Sequence, residues 1–153
     1  MTQDVFGNLK DWGAVLDKLE DLSRAGALGE HQGALIRILR YNDNWRLREA
    51  ALDALPMVQE PSPALIDEVL AILVREDLYH DVRILAADAL GRLFGRGAPW
   101  LKKGAANARL LREKVLGVLE EVLAAPQPPI LHEAIRASLR RMSLVSDARA
   151  IRP

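Results

Sequence analysis

The feature that most constrains the fold is a short pattern that the chain repeats along its length. Each copy has an apolar residue followed by a basic one, another small or apolar residue three positions on, and a small residue paired with Leu one turn later. The copies are Leu47-Arg48 with Ala51 and Ala54-Leu55, Val82-Arg83 with Ala86 and Ala89-Leu90, and Leu131-His132 with Ile135 and Ser138-Leu139. Recurrence of one helical unit is typical of repeat proteins, whose units stack because one unit cannot bury its own apolar face.

The composition agrees with stacked helices. Half of the residues are hydrophobic but only 5% are aromatic, so Ala and Leu dominate the apolar content and favour helices over sheets. Lys+Arg and Asp+Glu both number 21, and this balance disfavours nucleic acid and anionic membranes as partners. The chain has no cysteine, no signal-peptide pattern and no apolar run that would span a bilayer, so we expect a soluble cytoplasmic protein.

Residues that typically end or begin helices separate the helical patterns, and they predict seven helices in a single domain. Gly26 is expected to end the first helix, and Asn44 and Ser62 to cap later ones. Trp12 falls on the apolar stripe of the first helix, on one face with Leu9, Val15, Leu16, Leu19 and Leu22. The predicted segments are a capping helix over 8–25, repeat 1 over 30–58, repeat 2 over 62–95, an insertion loop over 96–107, repeat 3 over 108–143 and a tail over 144–153.

The repeat resembles the HEAT-repeat family, whose second helix carries Asp, then Val-Arg, then Ala and Ala-Leu-Gly. The best copy matches this signature at Asp77, Val82, Arg83, Ala86, Ala89, Leu90 and Gly91, and the first copy matches at Asp43, Leu47, Arg48, Ala51, Ala54 and Leu55. The third copy is degenerate, with His132, Ser138 and Arg140 in place of Arg, Ala and Gly. The resemblance implies an all-α fold, a short right-handed α-solenoid of about three HEAT-like hairpins with an N-terminal capping helix.

Two arginines of the repeat could bind an anion, but a structural role is the favoured interpretation. The resemblance implies that Arg48 and Arg83 form a ladder with Asp43 and Asp77 that links neighbouring repeats. A partly buried guanidinium needs such a carboxylate.

The positions that the repeat pattern leaves free are the candidate partner-binding residues. In a solenoid the second helices line the concave face, so some of these side chains should form a groove, and Trp and Arg are common anchors of binding surfaces. A solvated helix face is the alternative. The candidates are Trp45, Arg46, Glu49, Asp53, His80, Ile84, Asp88, Arg92 and Trp100.

The segment Gly95–Asn107, which includes the insertion, contains Trp100, Lys102 and Lys103 among three glycines and a proline. Loops of this length are often functional, so the segment could contact a partner. The alternative, which we favour slightly, is that Trp100 folds back and fills a gap between repeats. The C-terminal end carries Arg136, Arg140, Arg141, Arg149 and Arg152, either a contact for an acidic partner or nucleic acid or, preferably, a solvated face.

No residue pattern indicates catalysis. His31, His80 and His132 are widely separated, and no zinc, phosphate-loop or nucleophile-elbow motif occurs, so we predict neither an enzyme nor a bound cofactor or metal. The leading hypothesis is a non-catalytic scaffold module that binds a peptide or protein on its concave face, as a monomer or homodimer. The alternative is a HEAT-like protein that acts on a ligand or nucleic acid, resembling bilin lyases or DNA glycosylases.

Overall fold

The structure is a computed structural model that describes residues 4–95, 98–102 and 106–151. Within those residues the secondary structure is helical and contains no strand, which confirms the all-α class. The α-helices are α1 (Trp12–Arg24), α2 (Gln32–Leu39), α3 (Trp45–Ala54), α4 (Pro63–Val74), α5 (His80–Leu93), α6 (Pro99–Lys102), α7 (Ala106–Ala124) and α8 (Pro129–Ile151). Short 3₁₀ turns, Leu28–His31 and Leu55–Met57, precede α2 and follow α3.

The chain forms two compact units, Met1–Val69 and Leu70–Pro153, with the boundary inside α4. In the first unit α1 and α2 both pack against α3. Its core is built from aliphatic side chains that recur at helical spacing, among them Val15, Leu19, Leu35, Ile38, Leu47 and Leu52. In the second unit α5 and α7 pack against α8, and α6 contacts α7.

Local signals in the sequence account for three of the helix ends. Gly26 adopts a φ of +67° after α1, and the Ala27 amide donates to the Leu22 carbonyl at 2.9 Å, as expected of a glycine stop. The Asn44 Oδ1 accepts a bond from the Arg46 amide at 2.9 Å, and the Ser62 Oγ accepts one from the Leu65 amide at 3.1 Å. The predicted caps of α3 and α4 are therefore confirmed.

Three helix bounds differ from the sequence expectation. The first helix begins at Trp12 rather than at residue 8, because the Asn8 Oδ1 accepts a bond from the Lys10 amide and holds that segment in a turn. The segment predicted as an insertion loop contains the short helix α6. The helix α8 continues to Ile151, where a tail was expected after residue 143. No helix among the described residues has the length and apolar character needed to cross a membrane.

A close helix crossing organises the second unit. At Gly91 in α5, a Cβ would lie 2.9 Å from the Ser138 Cα and 2.8 Å from its Cβ in α8. The Ser138 hydroxyl, itself buried, donates to the Ala87 carbonyl at 2.6 Å. Two small residues therefore let the helices approach until a side chain of one bonds the backbone of the other.

An ion pair holds the start of the chain to α2 in the first unit. The Arg37 Nε donates to one Asp4 carboxylate oxygen at 2.6 Å, its Nη2 donates to the other at 2.5 Å, and the same Nη2 donates to the Gly7 carbonyl at 2.7 Å. The hydrogen bonds from Arg37 hold the pKa of Asp4 below its usual value. The fork geometry gives this ion pair two parallel charge-assisted hydrogen bonds.

Substituting Asp4 with asparagine should lower the free energy of unfolding at neutral pH by about 1 kcal/mol, since the pair is partly exposed and screened. Because the folded pKa of Asp4 is depressed, its contribution is present above the unfolded pKa and is lost as pH falls through the folded pKa. Urea denaturation of wild type and Asp4→Asn from pH 7 to pH 2.5 should show the difference shrink. Glu20→Gln, which removes an exposed pair with Arg24, is the control. A difference that stayed constant with pH would contradict the pairing.

Candidate functional site: a groove between α1 and α3

The candidate site lies in the first unit, where α1 and α3 lie side by side. The first turns of the two helices adjoin, since Arg46 contacts Trp12. Their last turns adjoin as well, since Ser23 and Arg24 share a groove with Asp53 and Ala54. The two helices therefore run in the same direction and present one continuous face.

Two tryptophans and an arginine form one end of this face. The guanidinium carbon of Arg46 lies 5.9 Å from the Trp12 ring centroid and 5.5 Å from that of Trp45, within the range of cation–π attraction. Trp12 is 45% exposed and Trp45 is 51% exposed, although each ring is large and apolar. The Asn44 cap fixes the first turn of α3, and so it fixes where Trp45 and Arg46 project. We call these three residues the tryptophan–arginine cluster.

A groove of about 370 Å³ follows the cluster along the two helices. Its lining residues are Leu16, Leu19, Glu20, Ser23 and Arg24 from α1 and Ala50, Asp53 and Ala54 from α3. The volume falls within the range of about 300–1,000 Å³ that is common for ligand pockets. Apolar lining predominates because α3 contributes small alanines where α1 contributes leucines. The groove is open to solvent, which suits a side chain delivered by a partner.

At the rim of the groove some charged side chains form ion pairs within the described residues and others do not. Glu20 and Arg24 form an exposed ion pair one turn apart on α1. Asp53 is exposed, and within the described residues neither Asp53 nor Arg46 forms an ion pair. The face thus carries a cation at the start of α3 and an anion near its end, with apolar surface between them.

The structure brings together some of the residues proposed from sequence and separates others. Trp45, Arg46 and Asp53 lie on the face just described, and Glu49, half-buried, lies on the same helix. The remaining candidates belong to the second unit. His80, Ile84, Asp88 and Arg92 lie on α5, where Asp88 and Arg92 pair with each other at 3.1 Å.

Trp100 differs from the other candidates because it is buried, with 7% of its surface exposed. Its ring packs edge-on against Phe94 at 5.2 Å between centroids, and its Nε1 donates to the Leu93 carbonyl at 2.8 Å. It fills space within the second unit and presents almost no surface to a partner, which favours the interpretation of Trp100 as a residue that folds back and fills a gap. Lys103 lies outside the described residues, as does Arg152 at the C-terminus.

Sequence patterns missed Trp12 and the leucines of α1. Trp12 fits the apolar stripe, but it is the first residue of α1 and so lies at the edge of the packed face. A signal was present: Trp12 follows Asp11 as Trp45 follows Asn44, each at a helix start. Two helix starts at which a short polar residue precedes a tryptophan would have pointed to paired tryptophans.

The basic residues of the repeat bond the ends of the preceding helices. The Arg48 Nε donates to the Leu39 carbonyl at 3.0 Å and the Arg83 Nε donates to the Leu73 carbonyl at 2.8 Å. The His132 Nε2 lies 2.9 Å from the Ala125 carbonyl. The last carbonyls of a helix have no intrahelical donors, and these side chains satisfy them. All three are structural in this respect.

Within its unit Arg83 has an amide partner where the resemblance implied a carboxylate. Its Nη1 donates to the Gln127 Oε1 at 3.1 Å, its Nη2 is buried without a hydrogen-bond partner, and Asp77 accepts from Arg75 instead. Burial lowers the pKa of Arg83 from its ordinary value. Within the second unit Gln127, and not Asp77, is therefore the side-chain partner of Arg83, and the ladder that links neighbouring repeats stays a prediction.

Other polar side chains among the described residues are weaker candidates for a functional site than the groove. Among the described residues no group of three His, Asp or Glu side chains could hold a metal ion. Glu133 lies 3.7 Å from Arg140 and 4.0 Å from Arg136, so the described part of the C-terminal basic patch is partly neutralised.

The comparisons with known proteins identify no relative. No protein-family model matches the chain, and no curated protein and no solved structure matches it.

Proposed function

We propose that this protein is a non-catalytic interaction module that binds a peptide or protein partner. The partner would bind the face formed by the second helix of each repeat, and α1 and α3 would supply the principal contact. The observation that carries the proposal is the tryptophan–arginine cluster beside an apolar groove. Exposed aromatic rings fixed by packing contribute contact area at little entropic cost, and Trp and Arg dominate the binding energy of many interfaces.

A HEAT-like α-solenoid is the architecture that we propose to carry this face. Three local observations support it: basic residues at the repeat position bond the preceding helix end, α1 and α3 run in the same direction, and small residues of α5 and α8 allow close approach. Under this proposal α1 acts as the second helix of a capping repeat. In the second unit the candidate positions of the second helix are His80, Ile84, Asp88 and Arg92 on α5.

The experiment is a selection from a displayed random-peptide library with the full chain as bait, followed by fluorescence-polarisation titration of the enriched peptides. We expect Trp45→Ala to weaken binding about thirtyfold, as loss of a 2 kcal/mol anchor would. The matched control is Tyr79→Ala, an exposed aromatic in the second unit, which should leave binding unchanged.

Failure to enrich any peptide would count against an interaction module. Peptides that bind wild type and Trp45→Ala equally well would show that the binding face lies elsewhere. Circular dichroism of each variant separates loss of binding from loss of fold, and Trp45→Ala should fold normally because half of its ring is solvent-exposed.

A further inference from the structure

The bonding capacity of Arg46 restricts what can bind beside it. The guanidinium carbon of Arg46 lies 5.9 Å from the Trp12 ring centroid and 5.5 Å from that of Trp45, so cation–π attraction to both rings holds the guanidinium in place. The N–H groups at its edge have no carboxylate partner within the described residues. A guanidinium held in this way offers a planar fork of donors, and a carboxylate is the group that matches it with two parallel hydrogen bonds.

The opposite end of the groove has the reverse charge. Asp53 lies seven residues after Arg46 on α3, two helical turns or roughly 10.5 Å along the axis and on the same side of the helix. Its exposed carboxylate forms no ion pair among the described residues, while the nearby Arg24 is already paired with Glu20. A cationic side chain of the partner is the complement that this end lacks.

The middle of the groove accepts apolar side chains. Half-buried Leu16 lines one side, where Leu19 is already buried in the core, and half-buried Ala50 and Ala54 line the other side. Ala50 lies four residues after Arg46, roughly 6 Å along the axis, and therefore one turn along the face. The partner must thus place aliphatic groups between an acid and a base.

The spacing decides the conformation of the partner. In an extended peptide, residues about 10 Å apart are three positions apart, and their side chains point to opposite sides. In an α-helix, residues seven positions apart have the same axial separation of roughly 10.5 Å and share one side, with positions three and four between them. A helix therefore matches this spacing with an acid, aliphatic groups and a base on one side, whereas residues at the same separation in an extended peptide do not share a side.

We propose that the groove between α1 and α3 binds an amphipathic helix of a protein partner, with an acidic residue on Arg46, a basic residue seven positions away on Asp53, and aliphatic residues between them. This rests on the proposed function and specifies its partner. The mode is helix-in-groove recognition, in which the apolar contacts supply affinity and the two charges fix the register.

The test is a second selection, from a helical-scaffold library randomised at positions i, i+3, i+4 and i+7 of one face, with the full chain as bait. We expect enrichment of an acid and a base at positions i and i+7, in either order, with Leu, Ile or Met between them. In titrations, Arg46→Glu should weaken the selected peptide at least about tenfold. Replacing the acid of the peptide with Lys should restore affinity for Arg46→Glu.

Asp53→Lys and a peptide whose base is replaced by Glu form the reciprocal pair, with the same expected loss and rescue. Arg109→Glu makes the same charge change as Arg46→Glu at an exposed position of α7, so it corrects for net charge and should not alter affinity. Ala50→Leu fills the groove and should weaken every selected peptide.

The outcomes separate this inference from the proposed function. Peptides that respond to Ala50→Leu and Trp45→Ala but not to the charge exchanges would overturn the acid–base register and leave an interaction module in place. An absence of enriched peptides, or binding indifferent to all of these variants, would overturn both. Wild-type chain that light scattering shows to be dimeric, with the dimer lost in Ala50→Leu, would overturn the inference by showing a second copy on the groove.

Discussion

Substituting Gly91 with alanine should destabilise the protein by about 2 kcal/mol, although alanine favours helices by about 1 kcal/mol over glycine. The new Cβ would lie 2.9 Å from the Ser138 Cα, and backbone cannot move aside as a side-chain tip can. Relief requires α5 and α8 to separate, which would also stretch the bond from the Ser138 hydroxyl to the Ala87 carbonyl. Urea denaturation followed by circular dichroism measures the loss.

The matched control for this variant is Gly117→Ala in α7. A Cβ at Gly117 meets nothing within 4 Å, so the same chemical change should stabilise the protein by about 0.5–1 kcal/mol. Opposite signs for the two glycines are therefore expected. Equal stabilisation by both substitutions would show that α5 and α8 are farther apart than the structure places them.

Removing the Trp100 side chain should have the largest effect, about 3–5 kcal/mol for Trp100→Ala. The ring is buried against Phe94, and the substitution leaves both a cavity and a Leu93 carbonyl without its donor. A loss of this size is a large fraction of the stability of a typical domain. Trp100→Phe, which keeps an aromatic ring but removes the Nε1–H donor, should lose less.

The comparison for Trp100 is Trp45→Ala, which removes the same side chain from a half-exposed site. We expect that variant to lose less than about 1 kcal/mol of stability, because surface substitutions seldom cost more. Far-ultraviolet circular dichroism reports both transitions without depending on tryptophan. If both variants lost similar stability, Trp100 would not be the buried member of the pair.

Local signals were sufficient for most of the helical segments. The caps at Asn44 and Ser62 and the left-handed Gly26 act through bonds to neighbours within a few residues, so their effect can be read from the chain alone. The repeat pattern likewise predicted that Arg48 and Arg83 are structural. Their partners were harder to foresee, because backbone carbonyls carry no residue identity and Gln127 is distant from Arg83 in sequence.

Prediction of the candidate site was less complete. Trp45, Arg46 and Asp53 could be named from the positions that the repeat pattern leaves free. Trp12 could not be assigned, because a stripe of apolar residues does not show where the neighbouring helix stops covering it. Trp100 shows the same limit, since a tryptophan among glycines is compatible with an exposed anchor or with a buried plug, and only its contact with Phe94 distinguishes them.

The amino-acid sequence by itself determined that the chain is helical and where most helices begin and end, because these depend on residue periodicity and on hydrogen bonds that span a few residues. It also showed that small residues recur at positions of the repeat, where they permit close packing of helices. Only the tertiary structure decided that Trp12 lies beside Arg46, that Gly91 meets Ser138, and that Trp100 is covered. Each of these depends on two segments distant in sequence being placed together by the packing of whole helices.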